Sequence, residues 1–446
     1  MSVLEVHEVS IAPQARAGLL DLELDRPKPG ETAERFALQL AGWVLGRESR
    51  PVRIEVMNRG RVIAATFVNG YAVAVANRSP ALRERHPDLP NDLRCGFVML
   101  VGLLGLPPEF ELHIRAVLDD DQVVPIGTIT ARHEPLRPPF ETSVQPLLVT
   151  GPPRSGTTWL MKVLGGHPEV VVYDDYPYEH WPAKYWTHAL KVITDPADLV
   201  NSTRAHGLDA NQYLVGHNPF FSPRWTPNSE IRRWLGRKQI ERTAAFFLET
   251  IEDWYLTLAR TQGKETPRYF AEKHMFRHSL APVLMQELYP GAKEVFLVRD
   301  FRDLACSHLS FSVDPETGEK RGKLPGKTRE KYVTEDVRRI AVDFREAWRT
   351  RGDAAHLVRY EELVLNPADV LTKLLAYLGL DSSPDTVGRM LDTELGVASH
   401  VTSPDVKRSI GRWRNEDAEF QALCEDVFAD LLEEFGYETS VPSSSA

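Results

Sequence analysis

The segment Pro146-Leu147-Leu148-Val149-Thr150-Gly151-Pro152-Pro153-Arg154-Ser155-Gly156-Thr157-Thr158-Trp159-Leu160 changes character twice. Pro146 to Thr150 is a short apolar run of the kind that forms a strand buried on both faces. From Thr157 onward the apolar residues fall into helical spacing, with Leu160, Val163 and Leu164 on one face. Between strand and helix lies a loop bounded by Gly151 and Gly156, which let the backbone turn tightly and approach a ligand. Successive N–H groups of such a loop point at one spot, where the helix N-terminus adds about half a positive charge. An anionic phosphate or sulfate is the natural occupant.

A second strand-to-helix passage lies further along the chain. Lys293 to Val298 reads as a buried strand, and it runs into Arg299-Asp300-Phe301-Arg302-Asp303-Leu304-Ala305-Cys306-Ser307. Asp300 and Asp303 suit a helix start, where carboxylates cap amides and complement the dipole. Arg299 and Ser307 are spaced to face a second phosphate; alone, the pattern would read as a salt-bridged helix terminus. Short buried strands alternating with helical patterns predict an α/β domain with a largely parallel sheet. Upstream, from Phe36 to about Arg132, the pattern is strand-like instead. Val52 to Val56 alternates, Asn58-Arg59-Gly60 turns the chain, and Arg61 to Val68 returns. Glu111 to Leu118, a turn at Asp119-Asp120-Asp121 and Val123 to Thr130 repeat the design, which predicts a β-sandwich-like domain of the immunoglobulin-like kind. The proline-rich stretch Pro135 to Phe140 marks the boundary, giving an accessory domain over 1–137 and an α/β domain over 138–446.

Composition sets the limits. A chain of 446 residues implies two or three domains, and 42% hydrophobic with 26% charged residues excludes a disordered or low-complexity chain. Lys and Arg number 53 against 63 Asp and Glu, a net charge of −10, which argues against a general nucleic-acid or membrane-surface binder. Cys95, Cys306 and Cys424 lie far apart without CxxC spacing, so neither a disulfide scaffold nor a structural zinc site is expected. Met1 to Gln14 lacks the pattern of a signal peptide, and the longest apolar run, Gly96 to Leu106, is too short for a membrane span. A cytoplasmic protein is expected.

The first loop resembles the P-loop of nucleotide triphosphatases, but Thr157 stands where that motif has lysine, and the cation sits earlier, at Arg154. A P-loop kinase or NTPase therefore remains an alternative, as does a nucleotide-binding protein without catalysis. The order R-S-G-T-T-W-L, then strand-R-D-x-R-D-x-x-x-S, resembles the sulfotransferases that use 3'-phosphoadenosine 5'-phosphosulfate (PAPS), over about Pro146 to Phe435. Val358 to Leu363 and Ser409-Ile410-Gly411-Arg412-Trp413 resemble two further segments of that family, the latter closing over the nucleotide. The resemblance implies a P-loop-like parallel sheet flanked by helices. It implies that Arg154, Ser155, Gly156, Thr157, Thr158 and Trp159 bind the 5'-phosphosulfate, with Arg299 and Ser307 on the 3'-phosphate. Tyr360, Arg408 and Arg412 complete the nucleotide site, and no divalent metal is required.

For catalysis, the resemblance puts Arg154 over the bridging oxygen and Lys273 near the sulfate. His167-Pro168-Glu169-Val170-Val171-Val172-Tyr173-Asp174-Asp175 resembles the stretch preceding the catalytic carboxylate of protein-tyrosine and polysaccharide sulfotransferases. By that register Asp175 is the base, with Glu179 in reserve. His274, next to Lys273, is a third candidate, and His180 and His400 are weaker ones. The aromatics Tyr178, Trp181, Tyr185, Trp186, Tyr213, Phe220, Phe221 and Trp225 fit either a core or a cleft for an acceptor. That acceptor bears a hydroxyl or amine: a sugar, lipid, peptide or phenol.

Overall fold

The computed structural model describes residues 2–175, 178–196, 229–274, 281–311, 327–351, 354–392 and 406–439. Tyr176, Tyr213, Phe220, Phe221, Trp225 and His400 lie outside them. The chain forms two compact units: Met1–Glu141 with Lys184–Ile251 and Leu280–Leu288, and Thr142–Ala183 with Glu252–Ser279 and Tyr289–Ala446.

Among the described residues of the first unit, ten strands form two antiparallel sheets. They are β1 (Leu4–Ile11), β2 (Leu19–Arg26), β3 (Thr32–Ala33), β4 (Ala37–Gly46), β5 (Pro51–Asn58), β6 (Arg61–Phe67), β7 (Gly70–Tyr71), β8 (Arg94–Gly102), β9 (Glu109–Leu118) and β10 (Val123–His133). The sheet orders are β3-β1-β10-β9-β5-β6 and β2-β4-β8-β7. One core joins the two: Val6, Ile54, Ile114 and Ile129 of the first sheet share it with Leu24, Leu40, Phe97 and Val101 of the second. That is a β-sandwich. The β5–β6 hairpin turns through Arg59 and Gly60, both at positive φ, as a tight two-residue connection demands. β1 and β2 precede Phe36, where the strand-like pattern was expected to begin. In β1 His7-Glu8 breaks the alternation, and the strand is placed between β10 and β3, whereas β2 alternates leucines with Asp21, Glu23 and Asp25.

Among the described residues of the second unit, five strands form one sheet, all parallel: β11 (Gln145–Thr150), β12 (Val170–Val172), β13 (Tyr269–His274), β14 (Lys293–Val298) and β15 (Ala355–Arg359), ordered β12-β13-β11-β14-β15. Both faces are covered. Val295 and Leu297 of β14 pack with Leu160, Leu371 and Leu375, whereas Phe296 and Val298 pack with Phe301, Phe344 and Phe428. This period-two alternation between two apolar layers explains why the strands read as unbroken hydrophobic runs. Because the strands are parallel, their carboxyl ends share one edge. Tyr173, His274, Gly151, Arg299 and Tyr360 lie at or just beyond those ends, the edge at which open α/β sheets hold ligands. Among the described residues no helix is long and apolar enough to cross a membrane.

Candidate active site

β11 ends at Thr150, and the helix Thr157–Gly165 begins after Gly156, which sits at φ +94°. A Cβ at Gly156 would lie 2.6 Å from the Tyr360 ring, and one at Gly151 would lie 2.7 Å from Ser155 Oγ and 3.0 Å from the Leu297 carbonyl. Side chains are therefore shut out of both positions by packing, and at Gly156 also by backbone conformation. Ser155 is buried, and both its amide and its hydroxyl donate to the Pro152 carbonyl (3.1 and 2.8 Å). Ser155 thus shapes the loop from within. Arg154 is held at φ +74°, unusual for a residue with a side chain. Two neighbours hold the loop from outside: Arg299 Nη1 donates to the Arg154 carbonyl (2.9 Å), and His308 Nε2 lies 2.9 Å from the Pro153 carbonyl. Trp159 is half-buried and packs on the apolar layer of the helix.

Two clusters form at this edge. In the first, Arg154 Nε donates to Ser307 Oγ at 3.3 Å, beside the buried Arg299. Arg299 Nη2 donates to the Ser409 carbonyl (2.7 Å), and its guanidinium lies 4.7 Å from the Tyr360 ring centre. Tyr360 and Ser409 share a hydroxyl hydrogen bond of 2.9 Å. Asp303 accepts the amides of Gly411 (2.6 Å) and Trp413 (3.1 Å). Burial, and then the nearby Asp300 carboxylate, push the Asp303 pKa up. Arg412 Nη2 reaches Ser310 Oγ at 2.9 Å, and Arg302 lies over the Trp413 ring at 4.0 Å while chelating Asp300. The segment 409–413 is thus clamped down by the helix Phe301–Phe311 and its preceding turn. Arg408 is exposed.

In the second cluster Lys273 Nζ donates to Thr158 Oγ1 (3.1 Å) and to Glu179 Oε1 (2.6 Å). Register explains the first contact: β13 runs parallel to β11, and Lys273 stands opposite Val149, one residue before the loop-bearing end. Asp175 lies elsewhere. It is exposed, and its Oδ2 sits 3.0 Å from His180 Nε2. His274 is buried at the end of β13 and projects from the face opposite to Lys273. Tyr178 packs half-buried on the core, whereas Tyr185 is exposed.

Sequence reasoning thus named Arg154, Ser307, Arg299, Tyr360, Thr158, Lys273 and Glu179, which these two clusters bring together. It passed over His308 and Ser310, one and three positions beyond Ser307 on the same helix, and it read Asp303 as a helix-start residue only. The Ser409–Trp413 segment was marked, but its hold on Arg299 and Asp303 depends on contacts between distant residues.

A parallel sheet with a glycine-bounded loop between its central strand and the following helix, and an Arg–Ser pair on the neighbouring strand-to-helix turn, defines a P-loop-like α/β protein. The chain belongs to the sulfotransferase family, whose profile matches residues 146–384, more than half of its length. The nodulation protein NoeE of Sinorhizobium fredii (strain NBRC 101917 / NGR234) is 26% identical over 323 residues, which span 68% of this chain and 68% of that protein. Among solved structures, the sulfotransferase domain of the Synechococcus PCC 7002 olefin synthase aligns with a TM-score of 0.37 at 20% identity, covering 69% of this chain and all of that one. Mouse sulfotransferase SULT7A1 complexed with PAP aligns at 0.35 and 13% identity, covering 66% of this chain and 86% of that one.

Proposed function

We propose that this protein transfers a sulfuryl group from PAPS to a hydroxyl or amine of an acceptor by in-line attack, with Glu179 as the group that takes the acceptor proton. One observation carries the reading: Lys273 Nζ stands between Thr158 Oγ1 and Glu179 Oε1. A cation, a phosphate-loop hydroxyl and a carboxylate meet there at the edge of the sheet. Asp175, the base expected from the family register, pairs with His180, whereas Glu179 pairs with the lysine that also meets Thr158, so Glu179 takes its place in this proposal.

The chain's residues fit a doubly phosphorylated nucleotide. Arg299 is almost fully buried, yet its Nε has no hydrogen-bond partner. A buried guanidinium N–H left unmade costs about 1–3 kcal/mol, which an anion's oxygen would remove. Arg299, Ser307 and Tyr360 would hold the 3'-phosphate end, with Arg408 and Arg412 at its rim. The loop amides from Ser155 to Trp159, with the Thr157 and Thr158 hydroxyls, would hold the 5' end. The donor supplies a sulfuryl group on a phosphate that departs as the new S–O or S–N bond forms. Arg154 and Lys273 offset the negative charge that develops on that phosphate and on the sulfuryl oxygens, and such preorganised donors each contribute roughly 10²–10³ in rate. Glu179 holds the proton that leaves the acceptor. His274 has no role in this scheme. The division into an accessory domain (1–137) and a sulfotransferase domain (138–446), a cytoplasmic location and operation without a metal belong to the same proposal.

Calorimetric titration with 3',5'-adenosine bisphosphate and, separately, with Mg·ATP tests the nucleotide. Tight binding of the bisphosphate with weak binding of Mg·ATP is expected, and the reverse would return the chain to the kinase or NTPase class. Incubation with radiolabelled PAPS and a fractionated extract identifies the acceptor by the label it takes up. Loss of label transfer in Glu179→Gln, with Asp175→Asn active, is the expected outcome for the base.

A further inference from the structure

Glu272 and Lys273 are consecutive on β13, so their side chains leave the strand on opposite faces. Both nevertheless hold the same short stretch of chain. Lys273 Nζ donates to Glu179 Oε1 at 2.6 Å, and Glu272 Oε1 accepts the amide of Ala183, also at 2.6 Å. The stretch 179–183 therefore straddles the end of β13 and is fastened on each side of it.

The second fastening has a simple cause. Ala183 is the second residue of the helix Pro182–Thr194. Proline has no N–H, so the Ala183 amide is the first free donor at that helix start, where unsatisfied amides and the helix dipole attract an anionic acceptor. Glu272 supplies it from another strand. The same oxygen accepts the Tyr255 hydroxyl at 2.5 Å. Tyr255 is fully buried and stacks on Phe270 at 4.2 Å, and Phe270 meets Tyr289 edge-on at 5.8 Å. A rigid aromatic layer thus fixes the carboxylate that fixes the turn. Glu272 is 6% exposed, and well-packed apolar side chains often serve stability as well as a buried charge does. What an apolar side chain could not do is bind the Ala183 amide.

We propose that Glu272 is a positioning residue for the transfer reaction: through Ala183 it sets the turn that presents Glu179 to Lys273, without touching donor or acceptor. This rests on the reading of Glu179 as the proton acceptor. The test assays Glu272→Leu, Glu272→Gln, Tyr255→Phe, Glu179→Gln and the double variant Glu179→Gln/Glu272→Leu for transfer of label from PAPS into the acceptor fraction. The affinity of each for 3',5'-adenosine bisphosphate is measured alongside. Glu272→Leu, which has no acceptor for the Ala183 amide, is expected to lower kcat about tenfold while the KM for PAPS and the bisphosphate affinity stay within about twofold. Glu272→Gln keeps the oxygen that accepts that amide and is expected to restore most of the activity. Tyr255→Phe is expected to lower kcat about threefold, and Glu272→Leu to add nothing once Glu179 is Gln. A wild-type kcat in Glu272→Leu beside a crippled Glu179→Gln overturns the positioning role alone. So does a tenfold loss that persists in the double variant, an equal loss in Glu272→Gln, or bisphosphate affinity lost in both Glu272→Leu and Tyr255→Phe. Full activity in Glu179→Gln overturns the base assignment itself, and the positioning role with it.

Discussion

The sandwich and the parallel sheet both bury carboxylates among arginines, and they use them differently. In the sandwich, Glu55 lies on β5 with one oxygen 2.7 Å from Arg53 and the other 2.7 Å from Arg115. All three side chains come from one sheet, and the charges close on each other. At the carboxyl edge of the parallel sheet, Asp300 takes up Arg302, and Asp303 uses both oxygens on the amides of Gly411 and Trp413. Arg299 is then left facing main-chain carbonyls, with its Nε unpartnered. An antiparallel ladder pairs its own side chains across neighbouring strands. A parallel sheet instead collects loop amides and strand-end cations along one edge, where the proposed nucleotide would complete them.

The contrast is broken most sharply at glycine. Gly156→Ala adds a methyl 2.6 Å from the Tyr360 ring at a residue with φ +94°. Backbone strain and overpacking together cost about 3–4 kcal/mol. Affinity for 3',5'-adenosine bisphosphate, read by calorimetry, should fall by several hundredfold, roughly as that cost dictates. Gly60→Ala in the sandwich hairpin also sits at positive φ, but nothing lies within 4 Å. It should cost only about 1 kcal/mol of stability and leave binding alone.

The arginines are the next test. Arg299→Ala removes charge-assisted hydrogen bonds worth about 1.5–3 kcal/mol, so bisphosphate affinity should drop about 10- to 100-fold. Arg115→Ala leaves Glu55 with Arg53 as its one cation, which should lower the midpoint of thermal unfolding without changing that affinity. Equal effects on binding from both would erase the distinction drawn above. Asp303→Asn keeps one acceptor oxygen for two amides. A loosened 409–413 segment and a bisphosphate affinity about tenfold weaker are expected, one lost hydrogen bond with a charged acceptor being worth about 1.5 kcal/mol.

The smallest effect concerns pH. His167 is buried, its Nδ1 accepts the Glu169 amide at 3.1 Å, and burial holds its pKa below the usual histidine value of 6.5. The unfolded chain therefore binds a proton first as pH falls. The stability contributed by His167 is complete above about pH 6.5 and is lost below it until the folded-state pKa is reached. Urea unfolding midpoints at pH 7.5 and 5.5 should show this loss in the native chain, and His167→Gln should lessen it.

Some of this was legible from local spacing. Gly151, Gly156 and the apolar run before them specify a strand, a turn and a helix start among neighbours in the chain, so the strand-loop-helix unit and the parallel sheet could be read directly. The hairpin at Asn58-Arg59-Gly60 was legible for the same reason. β1 was not, because His7-Glu8 breaks its alternation and its partner β10 lies far along the chain, whereas β2, with Asp21, Glu23 and Asp25 alternating with leucines, carried a legible strand pattern. Asp175 and Glu179 are both acidic residues in one short segment, and nothing local says which of them meets Lys273; the fold brings Glu179 there and pairs Asp175 with His180.

Residue order alone determined that a glycine-bounded loop joins a buried strand to a helix, since a backbone turn of that kind is set by a few adjacent residues and the φ angles they allow. Only tertiary structure decided which carboxylate meets Lys273. That choice depends on β13 lying beside β11 in register, and on the amide of Ala183 being held by Glu272, the residue before Lys273 on the same strand.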